Sequence, residues 1–358
     1  MDNRFKIQTL NNIAEVGLKR FPDQHYEVAA DLAAPDAIMV RSHDMHDMPI
    51  APSVLAVARA GAGVNNIPVA KLSERGIPVF NAPGANANAV KELVLASMFL
   101  AARNLCPAWE YVRQLDGTDE EMEKAVEAGK KRFVGFELPG RTLGVVGLGA
   151  IGVEVANAAL GLGMNVIGYD PQITVRRAWQ LSAGVEQAAN LDDLFARANM
   201  VTVHVPLLDA TRHLINADRL ALMAPGCVVL NFARGGIVDD EAVLAALERR
   251  HLAYYVTDFP NRFLAGRDGV VALPHLGAST GEAEDNCAVM VADTLRQYLE
   301  DGNVRHSVNF PEAILRRARP HRITIVNENV PSMVGHITTC LAAVSYTHLT
   351  LPTITSGC

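Results

Sequence analysis

Three glycines, Gly147, Gly149 and Gly152, have the spacing G-x-G-x-x-G with which a chain can hold a pyrophosphate. The first permits a tight turn, the second lets a phosphate approach the backbone, and the third lets a helix pack closely on a strand. Asp170 follows about 20 residues later, where a carboxylate can bind both hydroxyls of an adenosine ribose. These residues predict an NAD site; a glycine-rich turn in some other α/β protein is the alternative.

Arg234 and His275 could carry out an oxidation or a reduction beside such a cofactor. Each follows an apolar run that is predicted to be a strand. An arginine binds a carboxylate with two hydrogen bonds and polarises the adjacent oxygen. A histidine can exchange a proton with that oxygen because imidazole titrates near neutral pH. With hydride transfer to or from a nicotinamide, the pair predicts a 2-hydroxy acid dehydrogenase; a purely structural histidine is the alternative.

Two arginines in the first part of the chain could bind an anionic substrate. Arg41 and Arg59 each stand at the end of a predicted strand, and the loop after Arg59 contains Gly61 and Gly63. Ligands of open α/β sheets gather outside the carboxyl ends of strands, and glycines expose backbone N–H groups to an anion. Two arginines on a solvated surface are the alternative.

The elements that must position these side chains alternate between strand and helix. The run 142–146 is apolar and β-branched, as in a strand buried on both faces of a parallel sheet, and a helix after Gly149 would direct N–H groups toward phosphates. Further strands are predicted at 5–10, 37–40, 54–58, 79–80, 166–169, 200–204, 228–232, 254–257 and 270–273. Both halves are therefore predicted to be α/β, doubly wound parallel-sheet domains of Rossmann-like or flavodoxin-like type. The charged segment 105–138 is expected to form one exposed helix.

Composition and charge exclude several classes of protein. With 358 residues and a net charge of −7, the chain has room for more than one domain and has no dominant basic face for nucleic acid. Its five cysteines are scattered, which fits a reducing compartment, and His43 and His46 lack further ligands for a metal. No signal peptide is apparent, and the longest apolar run, 93–102, is too short to span a membrane. A cytoplasmic protein without metal, membrane or nucleic-acid partners is predicted.

Longer motifs resemble the D-2-hydroxyacid dehydrogenase family, and the resemblance extends over residues 1–340. The matching segments are the glycine motif, 204–207, 231–239 and 274–280. The loops 40–42, 58–66 and 81–86 are similar to the substrate loops of the branch that oxidises 3-phosphoglycerate to 3-phosphohydroxypyruvate, the first step of serine biosynthesis. The resemblance implies that activity, with NAD as cofactor. Reduction of glyoxylate or hydroxypyruvate, and NAD sensing by a non-catalytic co-repressor, are the alternatives.

The resemblance also assigns roles to individual residues. Arg234 and His275 are the implied catalytic residues, and Asp258 is the implied partner of the nicotinamide carboxamide. The implied cofactor-binding residues are Gly147, Gly149, Ala150, Ile151, Gly152, Asp170, His204, Pro206, Ala233, Asp258 and Gly277. The implied substrate-binding residues are Arg41, Arg59, Gly61, Gly63, Val64 and Asn86.

The family pattern implies a discontinuous arrangement of domains. Residues 1–100 and 285–312 would form the substrate domain around an inserted NAD-binding domain of residues 101–284, and the protein would be a homodimer or homotetramer. Residues 321–343 resemble the beginning of an ACT domain, with a first strand and helix only. Residues 344–358 match nothing in the family and are predicted to be a non-native or disordered tail; a genuine short tail is the alternative.

One departure from the family pattern concerns the histidine. Members usually carry a glutamate shortly after the position of Asp258 that pairs with the histidine, but no acid occurs between Asp258 and Asp268. Without a carboxylate the protonated imidazole is less favoured. We expect His275 to be supported in another way, by Glu282 or by water.

Overall fold

The computed structural model describes residues 4–317, 322, 325 and 330–342, and the chain divides into two compact units. The first unit contains the chain up to Ala85 and from Glu284 onwards, and the second runs from Asn86 to Ala283. Each unit is described by itself below. Within the described residues, no helix is both long and apolar enough to cross a membrane.

The first unit is built on a parallel sheet. Within the described residues this sheet has five strands in the order β2-β1-β3-β4-β5. The strands are β1 (Phe5–Leu10), β2 (Tyr26–Ala29), β3 (Ala37–Val40), β4 (Ala56–Arg59) and β5 (Val79–Phe80). Two short helices, α1 (Glu15–Leu18) and α2 (Val69–Glu74), lie between them in the chain. Arg59 pairs with Val40 across β3 and β4, so the loops that follow these two strands leave the same edge of the sheet.

The second unit is built on a larger parallel sheet. Within the described residues it has seven strands in the order β12-β11-β10-β9-β6-β7-β8. The strands are β6 (Thr142–Val146), β7 (Asn165–Tyr169), β8 (Val185–Gln187), β9 (Met200–Val203), β10 (Cys227–Asn231), β11 (Leu252–Thr257) and β12 (Val270–Ala272). The helices are α3 (Ala87–Ala102), α4 (Leu105–Arg113), α5 (Asp119–Gly129), α6 (Ala150–Gly161), α7 (Val175–Ala178), α8 (Leu191–Arg197), α9 (Ala217–Leu222) and α10 (Asp240–Glu248).

The two faces of the larger sheet are covered by separate apolar clusters. Leu143 and Val145 of β6 join one cluster with Val94 and Met98 of α3, whereas Val146 joins the cluster on the other face. This burial explains why β6 is an apolar, β-branched run. Because α3 packs into this core, it groups with the second unit, whereas the sequence-based division assigned residues 1–100 to the first domain. The two parallel sheets confirm the predicted fold class.

The prediction of one continuous helix over residues 105–138 is wrong. The structure has α4 and α5, followed by a short 3-10 turn at Lys130–Phe133. Gly117, with φ of 126°, separates the helices, and the Thr118 hydroxyl then accepts a hydrogen bond from the Glu121 N–H to begin α5. The Glu121 carboxylate accepts the Thr118 N–H in return, which completes a capping box. The glycine and the capping box therefore separate two helices, although the charged pattern continues through the whole segment.

Two helices follow the larger sheet in the chain. From α11 (Gly281–Asp301), the side chains of Ala288, Val291 and Leu295 enter the core of the first unit. Helix α12 (Met333–Ala342) falls within the segment that resembles an ACT domain, and the ACT assignment stays a prediction. Of the strand expected before it, only Arg322 and Ile325 are described, and residues 344–358 lie outside the described residues.

Candidate active site

The glycine loop of the second unit has the shape that a pyrophosphate needs. A Cβ on Gly152 would lie 1.9 Å from the backbone oxygen of Gly147, so only glycine lets α6 begin this close to β6. A Cβ on Gly149, in contrast, would meet no atom within 4 Å. Gly149 caps α6 without a side-chain hydrogen bond. The first turn of the helix is therefore left to an external acceptor such as a phosphate.

Asp170 is hydrogen-bonded to the glycine loop and holds it in place. Its Oδ2 accepts the Leu148 N–H at 2.8 Å, and its Oδ1 accepts the Gln172 N–H at 2.8 Å. The carboxylate thus ties the loop after β6 to the end of β7. An ionised carboxylate offers about four acceptor positions, so each oxygen retains capacity for a ribose hydroxyl. The sequence did not predict this tie, because it joins residues 22 positions apart.

Asp258 is a buried carboxylate at the end of β11. Its exposed fraction is 1%, its Oδ2 accepts the Gly277 N–H at 2.9 Å, and its Oδ1 is buried without a hydrogen-bond partner among the described residues. Burial raises the pKa of Asp258, against the opposing effects of the Gly277 hydrogen bond and the charge of His275. An unpaired buried oxygen is costly, so this atom is expected to receive a donor from a bound molecule.

His275 is exposed, and its ring packs against an aromatic side chain. The imidazole and the Phe259 ring have centroids 4.8 Å apart and an interplanar angle of 50°. Within the described residues, no hydrogen bond or ion pair joins the imidazole to a carboxylate, and Glu282 lies exposed at the start of α11. Phe259 therefore supports His275 on one side. The sequence pattern does not indicate this contact, since the family resemblance predicts a carboxylate as the partner of the histidine.

Arg234 lies in the loop after β10. The Asn231 amide donates to the Arg234 backbone oxygen at 2.9 Å, and the Arg234 guanidinium donates to the Ala233 backbone oxygen at 2.7 Å. A Cβ on the next residue, Gly235, would lie 3.7 Å from the Phe259 Cβ. The loops that carry Arg234 and His275 thus both approach Phe259. The Arg234 side chain is exposed.

The remaining predicted cofactor residues lie on neighbouring strand ends of the same sheet. The imidazole of His204, just after β9, is 3.0 Å from the Thr202 hydroxyl through Nε2, whereas Nδ1 is buried without a partner among the described residues. Burial lowers the pKa of His204 to about 3, so it is neutral at physiological pH. A Cβ on Gly277 would lie 3.4 Å from Asp258 Oδ2. Ala150 and Ile151 begin α6, and Pro206 and Ala233 follow β9 and β10.

The arginines of the first unit form a second cluster. The Arg59 Nε donates to the backbone oxygen of Arg41 at 3.1 Å, and the Arg41 guanidinium donates to the Glu284 carboxylate. Gly61 leaves room for Arg59, since a Cβ there would lie 2.4 Å from the Arg59 Nη1. Gly63 and Val64 continue the same loop. Asn86, predicted with this group, precedes α3 in the second unit.

The described residues contain no group of three or more His, Cys, Asp or Glu side chains that could hold a metal ion. His46 instead lies 2.6 Å from the Asp44 carboxylate through Nδ1.

Comparison with known proteins gives consistent matches. Residues 95–277 match the family model described as D-isomer specific 2-hydroxyacid dehydrogenase, NAD binding domain. The chain is 37% identical over 290 residues to D-3-phosphoglycerate dehydrogenase of Methanocaldococcus jannaschii, covering 78% of this chain and 52% of that protein. It is 38% identical over 248 residues to hydroxypyruvate reductase of Thermotoga maritima, covering 67% of this chain and 76% of that protein.

A solved structure has the same architecture. The NAD+-bound 3-phosphoglycerate dehydrogenase of Entamoeba histolytica aligns with a TM-score of 0.66 and 25% identity, over 86% of this chain and 99% of that one. The chain spans about half the length of the D-3-phosphoglycerate dehydrogenases of archaea and mycobacteria that it matches.

Proposed function

The chain belongs to the D-isomer specific 2-hydroxyacid dehydrogenase family, and on that premise we propose that it oxidises 3-phospho-D-glycerate to 3-phosphohydroxypyruvate with NAD+. The observation that carries the proposal is the meeting of two loops at Phe259. Its ring contacts the His275 imidazole, and its Cβ lies beside Gly235, the residue that follows Arg234. A guanidinium, an imidazole and the buried Asp258 therefore belong to one region of the second unit.

The residues of the second unit fit a dinucleotide. Open space at Gly149 and the uncapped start of α6 suit the pyrophosphate, with Gly147, Gly152, Ala150 and Ile151 shaping the loop. Asp170 has acceptor capacity for the adenosine ribose, and Asp258 Oδ1 can accept an N–H of the nicotinamide carboxamide. His204, Pro206, Ala233 and Gly277 complete the proposed set. Bound NAD+ would accept a hydride from the carbon that carries the substrate hydroxyl.

Arg234 and His275 have distinct tasks in the proposed reaction. The Arg234 guanidinium binds the substrate carboxylate with two hydrogen bonds and thereby orients the adjacent hydroxyl. An imidazole nitrogen of His275 accepts the hydroxyl proton as the alcohol becomes a carbonyl. Because His275 is exposed, it can then pass the proton to water. In the reverse direction the same nitrogen donates the proton.

The proposed substrate carries a second anionic group, and Arg41 and Arg59 support that choice. We propose that they bind the phosphate, with backbone N–H groups of the loop at Gly61, Gly63 and Val64, and that Asn86 also contacts the substrate. Reduction of hydroxypyruvate is the second candidate, favoured by the similarity to the Thermotoga maritima reductase. NAD sensing without catalysis is the third, favoured by the lack of a carboxylate partner for His275 among the described residues.

The test is NADH oxidation by the full chain with 3-phosphohydroxypyruvate, hydroxypyruvate and glyoxylate. We expect turnover by the wild type, and a loss of at least about 100-fold in kcat with His275→Gln and in kcat/KM with Arg234→Lys. His25→Gln and Arg249→Lys, both at exposed positions, are the matched controls and are expected to keep full activity.

The same panel separates the three candidates. Turnover restricted to unphosphorylated keto acids would support the reductase, and NADH binding without any turnover would support the sensor.

We also propose, on the family resemblance, that the protein is a homodimer or homotetramer. Light scattering coupled to gel filtration would test this.

A further inference from the structure

Glu284 is hydrogen-bonded to Arg41, one of the two arginines that are proposed to bind the second anionic group of the substrate. The carboxylate lies in the first turn of α11 and accepts a hydrogen bond from the Arg41 guanidinium. Both side chains are partly exposed, at 34% for Arg41 and 40% for Glu284, so the pair is open to exchange with solvent ions. The anion that is bound to Arg41 in this structure is therefore a side chain of the protein itself.

The charges of this pair stabilise each other. The hydrogen bond from Arg41 lowers the pKa of Glu284, and the same bond raises the pKa of Arg41. Glu284 is consequently ionised at neutral pH. The cluster of Arg41, Arg59 and Glu284 thus carries one net positive charge in place of two.

Contacts with neighbouring residues keep the cluster of Arg41, Arg59 and Glu284 compact. Arg59 donates through Nε to the backbone of Arg41, and its guanidinium lies over Gly61. The buried thiol of Cys287, one turn after Glu284 on α11, is close enough to interact with the charges of all three side chains. An incoming phosphate would thus meet Glu284 as a like charge beside the guanidinium that it needs.

We propose that Glu284 is a specificity-determining residue, an internal competitor that a second anionic group of the substrate must displace from Arg41. This inference rests on the proposed function. A phosphorylated 2-keto acid has to break the Arg41–Glu284 pair, whereas hydroxypyruvate or glyoxylate leaves it intact. The residue therefore weakens binding of doubly anionic substrates and leaves singly anionic ones unaffected. The side chain at position 284 therefore determines how strongly the enzyme prefers singly anionic over doubly anionic substrates.

The experiment compares wild type with Glu284→Gln, which removes the charge and preserves the shape of the side chain. Asp285→Asn is the matched control, because it makes the same change of charge at the next, exposed position of α11. We expect Glu284→Gln to lower KM for 3-phosphohydroxypyruvate about 3- to 5-fold and to change KM for hydroxypyruvate by less than about 2-fold. Calorimetric titration with 3-phospho-D-glycerate and with inorganic phosphate should show the same gain in affinity.

Equal changes for phosphorylated and unphosphorylated substrates, or no change for either, would overturn the inference. An equal gain with Asp285→Asn would also overturn it, since the effect would then come from net charge alone. If Glu284→Gln does not fold, Glu284→Asp decides the question, because its shorter side chain weakens the pair and should give a smaller gain of the same kind.

Failure of the proposed function would appear differently. If the wild type turns over no keto acid, the enzymatic proposal fails, and the calorimetric comparison still tests whether Glu284 competes with a phosphate. If the wild type is active and Glu284→Gln binds 3-phospho-D-glycerate with unchanged affinity, only the inference about Glu284 fails.

Discussion

At the scale of single residues, the surroundings of His275 distinguish this chain from the family pattern. A carboxylate partner would hold the imidazole by charge, whereas Phe259 holds it by ring contact. Asp258 contributes charge from a buried position, and its Oδ2 fixes the backbone of Gly277 two residues after the histidine. The imidazole is therefore positioned by the Phe259 ring and by the hydrogen bond that fixes the nearby backbone at Gly277.

Phe259→Ala tests whether the ring positions His275. An aromatic pair is worth about 0.5–1.5 kcal/mol, so kcat is expected to fall about 2- to 10-fold while the dissociation constant of NADH stays constant. Phe259→Tyr should retain the rate. Steady-state kinetics and fluorescence titration of NADH measure the two quantities.

Phe263→Ala is the control for that variant, since Phe263 lies in the same loop with 53% of its surface exposed. Equal losses in the two variants, or a loss confined to NADH affinity, would show that Phe259 does not act through His275.

At the scale of the element, the loop between β6 and α6 needs its glycines for different reasons. Gly152 is required by the fold, because any side chain would overlap the Gly147 backbone. Gly149 faces open space, so its importance depends on what occupies that space when a ligand binds. The same motif therefore combines a packing requirement with a binding requirement.

Alanine substitutions should separate these requirements. Gly152→Ala is expected to lower the free energy of unfolding by more than about 2 kcal/mol, since a backbone contact of 1.9 Å must be relieved. Gly149→Ala should leave the free energy of unfolding within about 1 kcal/mol of wild type and weaken NADH binding at least about 10-fold. Urea denaturation and NADH titration measure the two effects.

Gly161→Ala, at the other end of α6, also meets no atom within 4 Å and serves as the control for both measurements. Unchanged NADH affinity in Gly149→Ala would contradict the assignment of the pyrophosphate to this loop.

At the scale of the whole molecule, the two units divide the chemistry. The second unit contains the glycine loop, Arg234, Asp258 and His275, and the first contains the cluster of Arg41. Both place these residues at the carboxyl ends of parallel strands, where such sheets bind ligands. The chain spans about half the length of the archaeal and mycobacterial D-3-phosphoglycerate dehydrogenases that it matches, and it includes residues for both proposed tasks.

Stability at acid pH is a property of the whole fold that His204 should influence. Its folded pKa of about 3 lies below the ordinary value of 6.5, so the unfolded chain binds a proton first. The stability that depends on neutral His204 is complete above pH 6.5 and is lost as the pH falls toward 3. Between pH 7 and 5 this loss amounts to about 2 kcal/mol.

His204→Gln removes that titration and retains a side chain that can hydrogen-bond to Thr202. We expect its urea midpoint, followed by circular dichroism, to change less between pH 7 and pH 5 than that of the wild type. Parallel pH dependences in the two proteins would show that His204 does not titrate on unfolding. His25→Gln, at an exposed position, is the control.

Much of the fold and part of the site could be predicted from the sequence. The strand of residues 142–146, the glycine spacing and Asp170 are local signals, because their meaning depends on neighbours within one βαβ segment. Strands β2 and β8, at the edges of the two sheets, are short and weakly apolar and do not stand out in the sequence. The continuous charge of residues 105–138 conceals the capping signal that separates α4 from α5.

The sequence alone determined the fold class, the family and the residue types available for chemistry, since spacing and hydrophobic period are properties of the chain itself. Only the tertiary structure decided that Phe259 rather than an acid contacts His275, and that Asp170 also anchors the glycine loop. It also decided that Glu284 pairs with Arg41 across 243 positions of the chain. Such contacts join side chains whose separation along the chain bears no relation to their distance in space, so no local pattern can encode them.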